Sequence, residues 1–244
     1  MATNTRHFPV LVLTGRPAAG KSEVIDYLKR TADSERLSRL HIGAFQEIDD
    51  FPFVWQMFEE DAIRARHGRP RVYTDDSLYF LDPWLWQFLI EKINLSFHKK
   101  LKENPDWLDH ETAIVEFSRG GDNAYRDAFA QLSDEILDRT VILYIDVSWE
   151  ESLRKNRRRF NPDRADSILE HSVPDEKMEF YYRVDDFHRL ASQDPTHLTV
   201  RGRRIPYTTL PNEPEVTLEP KLLGPALESA LGRLWRSYGV GRRE

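Results

Sequence analysis

The stretch that decides the fold is PVLVLTGRPAAGKSEVIDYLKR, residues Pro9 to Arg30. An apolar run is followed by eight residues dense in Gly, Pro and Ala, and then by a segment that places Val24, Ile25 and Leu28 on one helical face. This order predicts a buried strand, a loop and an amphipathic helix. The loop should therefore lie where the strand meets the helix.

The loop itself, GRPAAGKS, matches the pattern G-x-x-x-x-G-K-[ST] in that strand-to-helix context. Glycines let such a loop bend until successive N–H groups point inward, and the following helix adds its positive N-terminus. These properties favour a polyphosphate, with Lys21 on the β- and γ-phosphates and the Ser22 hydroxyl on Mg²⁺. A strand-to-helix turn without a ligand is the alternative. The predicted cofactor-binding residues are Gly15, Arg16, Pro17, Ala18, Ala19, Gly20, Lys21 and Ser22.

The composition narrows the class of protein. With 244 residues, of which 40% are hydrophobic, the chain can bury a full core, and we expect one α/β domain over residues 1–244. A net charge of -6 argues against nucleic acid and anionic membranes as partners. The absence of cysteine excludes disulfides, thiolate zinc sites and cysteine nucleophiles. Because neither a membrane span nor a signal peptide is evident, we expect a cytoplasmic protein.

Apolar, β-branched runs alternate with helical patterns, as in βαβ units. This alternation predicts a three-layer fold with a five-stranded, mainly parallel sheet, covered by helices that include 123–137 and 222–238. The Pro-rich segment 205–220 is interpreted as an irregular or hairpin link. We expect the C-terminal helix to pack in the core, with a homodimer face as the alternative. The predicted strands are Phe8 to Thr14, about Leu40 to Ile48, Thr112 to Phe117, Thr140 to Val147 and His197 to Val200.

Two long segments do not fit a simple alternation of strands and helices. Residues 51–109 should contain a long helix that begins near Pro83, because proline suits a first helical turn. Residues 149–190 are rich in Arg, Asp and Glu and should form helices over one end of the sheet. Such insertions usually carry substrate contacts or a lid. We therefore predict an acceptor-binding insertion at 51–109 and a lid at 149–190.

Two neighbouring carboxylates, Asp49 and Asp50, follow the second predicted strand. Ligands of a parallel sheet sit outside the carboxyl ends of its strands, so both side chains should face the same crevice as the 15–22 loop. A carboxylate there can accept the proton of an attacking hydroxyl or hold metal-bound water. We predict that Asp50 contacts the acceptor. The alternative is that the pair caps the helix that starts near Phe51.

A second polar group follows the third predicted strand, in AIVEFSRGGDN. Glu116 comes after a buried apolar run and should emerge near the metal, so we predict that Ser22 and Glu116 hold Mg²⁺. Arg119 lies three residues later, where it could clamp an acceptor phosphate or carboxylate. An ion pair between Glu116 and Arg119 at the rim of the sheet is the alternative.

A run of cationic residues, from Arg154 to Arg164, follows the fourth predicted strand. Arg154, Arg157 and Arg158 share one helical face by their i, i+3, i+4 spacing. Phosphoryl transfer needs positive charge on the migrating phosphate, which a closing arginine lid would supply. We predict Arg157 and Arg158 as the catalytic arginines. The alternatives are a solvated face paired with nearby acids and a nucleic-acid patch.

Phosphate binding alone leaves several classes of protein open. The chain lacks the N-K-x-D guanine motif of switch GTPases, the L-S-G-G-Q signature of transporters and the D-E pair that closes a strongly apolar strand in large hexameric ATPases. The order of GRPAAGKS, IDDF, IVEFSRG and LYIDVSWEESLRKNRRR resembles the P-loop nucleoside and nucleotide kinase superfamily, and most of all its uridine kinase and phosphoribulokinase group.

This resemblance implies a set of residue roles. By it, Asp49 is the catalytic base, Glu116 lies near Mg²⁺, and the arginines near Arg157 close over ATP. It does not extend to residues 51–109, and Phe117 stands where that group usually has Gly.

These features together predict an ATP- and Mg²⁺-dependent kinase. It would transfer the γ-phosphate to a small acceptor, most of all a nucleoside or nucleotide, with Lys21, Asp49, Arg157 and Arg158 as its catalytic residues. The second hypothesis is an ATPase or regulatory switch without an acceptor, and the third is a degenerate scaffold.

Residues 51–109 also contain a set of aromatic side chains, for which we expect core packing; a pocket for a planar base is the alternative. The basic stretch 64–73 either grips an acceptor phosphate or faces solvent. No histidine pair shows ligand spacing such as H-x-x-x-H, so we predict no histidine metal site. The aromatic set is Trp55, Phe58, Tyr73, Tyr79, Phe80, Trp84, Trp86 and Phe88.

Overall fold

The computed structural model describes residues 6–159 and 172–240. These residues contain a six-stranded sheet in the order β2-β3-β1-β4-β6-β5. Every neighbouring pair is parallel except β5 and β6, which are antiparallel at one edge. The strands are β1 (Val10–Gly15), β2 (Ala44–Asp49), β3 (Glu111–Phe117), β4 (Thr140–Asp146), β5 (His197–Val200) and β6 (Arg203–Pro211).

The five-strand prediction is wrong by one strand, because β6 lies in the segment interpreted as a link. Pro206 conceals it, since a proline usually argues against a central strand. In the structure, β6 pairs with β5 through residues 203–206 and with β4 through residues 207–211, so Pro206 stands where one ladder ends and the other begins. The predicted second strand also starts too early, because Leu40 is the last residue of a helix.

Helices cover both faces of this sheet, which confirms the expected three-layer arrangement. The predicted helix 123–137 is divided in two, whereas the predicted helix near Pro83 begins at Leu85. The helices are α1 (Lys21–Arg30), α2 (Asp33–Leu40), α3 (Phe51–Arg66), α4 (Leu85–Glu103), α5 (Trp107–His110), α6 (Ala124–Gln131), α7 (Asp134–Leu137), α8 (Trp149–Arg159), α9 (Asp175–Tyr182), α10 (Phe187–Ala191) and α11 (Pro220–Val240).

The alternation of side chains along β1 divides the core into two parts. Val10 and Val12 belong to a cluster that includes residues of α4, α6 and α10. Leu11 and Leu13 belong to a second cluster with residues of α1 and α11. Since successive side chains of a strand point to opposite faces, the sheet is buried on both sides, as expected for parallel strands.

The leucine stripe of α11 packs in the second cluster, as the sequence predicts. Leu223, Leu227, Leu231 and Leu234 are each at most 1% exposed, which leaves none of them free to form a dimer face. None of the described helices is both long enough and apolar enough to cross a membrane.

Candidate functional site

The loop 15–22 lies at the carboxyl end of β1, the central strand of the parallel part of the sheet. Gly20 adopts a φ of 117° at the start of α1, a conformation that favours glycine. A Cβ at this position would lie 2.8 Å from both Asn212 and Thr217. The loop is therefore held closely against the segment that follows β6, and α1 begins at its end.

Lys21 is buried at the first position of α1, with 8% of its surface exposed. Its Nζ donates to Ser118 Oγ at 2.6 Å and to the Arg16 carbonyl at 3.3 Å, and lies 3.9 Å from Glu116 Oε1. Burial lowers the pKa of Lys21 below its usual value, against the opposing effect of Glu116. The ammonium thus lies between the loop and the end of β3.

Two carboxylates are neighbours across the ends of β2 and β3, where Asp49 stands opposite Glu116 in the ladder. Burial, followed by repulsion from Glu116 and Asp50, raises the pKa of Asp49 to about 8. Burial likewise raises the pKa of Glu116, although Lys21 opposes the shift. Because the pKa values of both neighbouring carboxyls are raised, the pair is suited to bind a cation or to share a proton.

Asp50 has a different partner from Asp49. Its Oδ2 accepts from Arg119 Nη1 at 2.5 Å, and both side chains are buried. Asp50 stands at the N-cap position of α3 but makes no capping hydrogen bond with its side chain; Asp49 Oδ1 instead accepts from the Phe51 N–H at 3.0 Å. The first N–H of α3 is therefore bonded by Asp49 and not by Asp50. The alternative ion pair of Glu116 with Arg119 is wrong, because Arg119 pairs with Asp50.

Arg119 is also fixed by its surroundings. It donates to the Ser118 carbonyl at 2.7 Å and to the Trp86 carbonyl at 3.2 Å. Its guanidinium lies over the rings of Trp86 and Phe117, at 5.3 and 5.2 Å from their centroids. These contacts connect the end of β3 to the start of α4, so that Arg119 supports the 51–109 segment from within.

A cavity of about 460 Å³ opens beside these groups. Its polar end is formed by the loop, Asp49, Glu116 and Lys21, and its other end by side chains of α3, of the 78–86 segment and of α9. Of the eight aromatic residues assigned to the core from the sequence, four line this cavity, namely Trp55, Phe58, Phe80 and Trp86. The core expectation is wrong for these four, because the connection between α3 and α4 leaves them facing the cavity instead of the sheet.

The arginines of α8 project in different directions around the helix and have different partners. Arg154 pairs with Glu151, Arg157 with Asp175 and Arg158 with Glu215, each at 2.7 to 2.8 Å. Among these arginines Arg159 alone lines the cavity, where its Nη2 donates to Ser22 Oγ at 3.2 Å. The structure therefore brings Arg159 to the loop, one residue beyond the predicted Arg157 and Arg158. Arg164 lies outside the described residues.

Arg16 belongs to the predicted loop, but its side chain points away from the cavity. It donates to the carbonyls of Tyr182 and Arg183 and forms an ion pair with Asp185 at 2.9 Å. These contacts attach the loop to the chain that leaves α9. The backbone of α9 also lies against Gly120, where a Cβ would be 2.1 Å from the Tyr181 carbonyl oxygen.

Sequence reasoning missed two residues of this site. Ser118 holds Lys21, and Tyr181 Oη accepts from the Phe80 N–H at 2.9 Å and so supports the cavity wall. The polar residue directly after a buried strand was a usable signal for Ser118. Tyr181 carried no local signal, because its contact spans 101 residues of chain.

The predicted Mg²⁺ ligands, Ser22 and Glu116, both line the cavity. Within residues 6–159 and 172–240, no group of three or more histidine or acidic side chains is arranged as a preformed metal site. The basic stretch 64–73 does not line the cavity, and its Arg71 pairs with Asp76 at 3.3 Å.

No protein-family model matches the sequence, and neither does any curated protein. Three solved structures are similar over most of the chain. TT1252 from Thermus thermophilus shares 16% identity, with 84% of this chain and 89% of that chain covered and a TM-score of 0.39. A sugar kinase from Janibacter sp. HTCC2649 shares 15% identity over 92% and 93% of the two chains, with a TM-score of 0.40. APE1195 shares 13% identity over 91% and 96%, with a TM-score of 0.36. Likenesses this distant carry no argument about the reaction.

Proposed function

We propose that this protein is an ATP- and Mg²⁺-dependent kinase that phosphorylates a small molecule. The observation that carries the proposal is the placement of Asp49 and Lys21 in one cavity, with the 15–22 loop at one end and an aromatic pocket at the other. A donor phosphate on the loop and an acceptor in the pocket would meet at Asp49. Residues 51–109 would bind the acceptor, and residues 149–190 would form the lid.

The loop would hold the donor through its backbone N–H groups and the N-terminus of α1. Lys21 is buried and already directed toward the end of β3, so it would meet the phosphates with little reorganisation. Arg159 would add positive charge from α8, and the predicted Arg157 and Arg158 would do so only if the lid moved, since their present partners are Asp175 and Glu215.

The donor set fits a Mg²⁺ ion. The carboxyl of Glu116 and the hydroxyl of Ser22 face one cavity. Burial, followed by repulsion between neighbouring acids, raises the pKa of Asp49 and of Glu116, and a bound cation would favour the ionised form of both. Mg²⁺ usually takes one or two carboxylates together with waters and substrate phosphates, so a full protein cage is not required. When bound, it would supply charge that neutralises the phosphates.

Asp49 would direct the acceptor. Burial raises the pKa of Asp49 to about 8, so its ionised carboxylate is a stronger base than that of an exposed aspartate, which favours general-base catalysis at and above neutral pH. Its carboxylate is oriented by the Phe51 N–H, which leaves the second oxygen available to a hydroxyl in the cavity. Catalysis would otherwise consist of positioning and charge stabilisation.

The test compares Lys21→Ala with Lys29→Ala, which removes an exposed lysine near the end of the same helix. Transfer of labelled phosphate from ATP is measured across a panel of nucleosides, nucleotides and sugars. We expect Lys21→Ala to reduce transfer at least ~10³-fold and Lys29→Ala to leave it unchanged. Transfer that survives in Lys21→Ala would refute this mechanism, and ATP hydrolysis that no acceptor increases would favour an ATPase or switch.

A further inference from the structure

The wall of the cavity beyond Asp49 is apolar and aromatic. Phe51, Trp55, Phe58, Phe80 and Trp86 line it, and we call these five residues the acceptor wall. Each is partly exposed, so that part of each side chain remains accessible instead of being buried in the core. Rings of this kind offer flat apolar surface to a ligand at low entropic cost.

The polar groups beside the acceptor wall do not favour an anion. Asp49, Asp50 and Glu116 are three carboxyls at the end of the sheet, and the Arg119 guanidinium lies over the Trp86 ring of the acceptor wall. Arg119 is already paired with Asp50 at 2.5 Å, and its Nη2 is bonded to the Trp86 carbonyl. A phosphorylated acceptor would have to displace Asp50 and leave it buried and unpaired, which is costly.

Other cations near the cavity do not change this balance. Lys177 of α9 also lines the cavity and lies over the Tyr79 ring at 5.2 Å. Burial lowers the pKa of Lys177 and so disfavours its charged form, against the opposing effects of Glu176 and Asp75. The basic stretch 64–73 lies outside the lining, as described above. Lys21 and Arg159 stand at the loop end, where the donor phosphates would use them.

We propose that the acceptor is an uncharged hydroxyl compound with a flat aromatic body, held by the acceptor wall with its hydroxyl toward Asp49, and not a phosphorylated compound. This inference rests on the proposed function, since only a kinase has an acceptor, but the binding preference can be measured without ATP. The Asp50–Arg119 pair then serves to hold the wall in place, since it joins the end of β3 to the start of α4.

The experiment is calorimetric titration of the full chain with matched pairs that differ by one phosphate. The probes are uridine and uridine monophosphate, adenosine and adenosine monophosphate, and pyridoxine and pyridoxine phosphate. We expect at least one uncharged member to bind at least ~10-fold more tightly than its phosphorylated partner. Equal or tighter binding of the phosphorylated members, or binding of no uncharged member, would overturn the inference.

Variants localise the binding. Phe58→Leu keeps an apolar side chain but removes a flat ring, and we expect it to weaken the uncharged ligand by ~10-fold. Trp84→Ala is the control, because Trp84 is exposed and does not line the cavity. An equal loss in both variants would contradict the assigned site. Because these titrations contain no ATP, they can succeed even if Lys21→Ala shows that the protein is not a kinase.

Discussion

Replacement of Asp49 by asparagine should stabilise the protein at neutral and alkaline pH. The pKa of Asp49 is raised to about 8, so the folded state favours the protonated carboxyl while the unfolded chain ionises near pH 4. Such a group contributes stability that is present below the unfolded pKa and is lost as the pH rises through the folded pKa. Asparagine resembles the protonated form and has no charge to bury.

The size of this effect follows from the shift. A difference of about four units corresponds to an upper bound of roughly 5 kcal/mol. Water that enters the cavity on ionisation relieves part of this cost, so we expect Asp49→Asn to gain about 2 kcal/mol at pH 8 and close to nothing at pH 4. The neighbours that face Asp49 are Glu116, Asp50 and Lys21, and Asp49→Asn also removes the repulsion of Asp49 by Glu116 and Asp50.

The adjacent residue supplies a control of opposite sign. Asp50→Asn removes the charge that balances buried Arg119, and we expect a loss of about 3 kcal/mol at pH 8. Urea unfolding of the three proteins at pH 4, 6 and 8, followed by circular dichroism, measures both effects. A stability gain in Asp49→Asn that does not grow with pH, or a loss in that variant, would refute the charge arrangement described here. Activity should fall in Asp49→Asn despite the gain, because functional groups are often held at a cost in stability.

Three further predictions concern the segments around the cavity. Asp61→Ala should destabilise the protein by about 3 kcal/mol in urea unfolding, because this buried carboxylate accepts four hydrogen bonds from residues 72–74 and so holds the start of the α3–α4 connection. Gly120→Ala should lower the melting temperature by more than 10 °C, since the added Cβ meets the backbone of α9, whereas Gly239→Ala, with open space around it, should change it by no more than a few degrees. Arg16→Ala should increase hydrogen exchange in residues 181–186 without a comparable increase in β1, because it removes the contacts that attach the loop to that segment. Each prediction fails on one result. For Asp61→Ala the result is unchanged stability, and for the two glycine variants it is an equal shift in melting temperature. For Arg16→Ala it is hydrogen exchange in residues 181–186 at the rate of the parent protein.

Much of the site could be predicted because its residues follow strand ends. In a parallel sheet the carboxyl ends of neighbouring strands share one edge, so Lys21, Asp49 and Glu116 were expected at one place before any contact was known. These residues are far apart along the chain, but β1 and β2 both pair with β3, which brings their carboxyl ends together. The role of each in a reaction stays a prediction.

Local pattern was a poorer guide where two partners compete. Asp50 resembles a helix cap in sequence, yet its carboxylate lies against Arg119, because a buried guanidinium needs a charged partner more than a helix end needs one hydrogen bond. Similarly, the helical spacing of Arg154, Arg157 and Arg158 predicts a shared face, but it could not show that Arg157 and Arg158 meet the acids Asp175 and Glu215 instead of the loop.

The sequence by itself determined the parallel sheet, its covering helices and the loop between β1 and α1, because hydrophobic period and glycine placement act over a few neighbouring residues. Only the tertiary structure decided that Pro206 lies inside a paired strand, that Arg159 is the arginine at the loop, and that four aromatic side chains form a cavity wall instead of core. Each of these depends on which distant segment a side chain meets, and that is set by the packing of the whole chain.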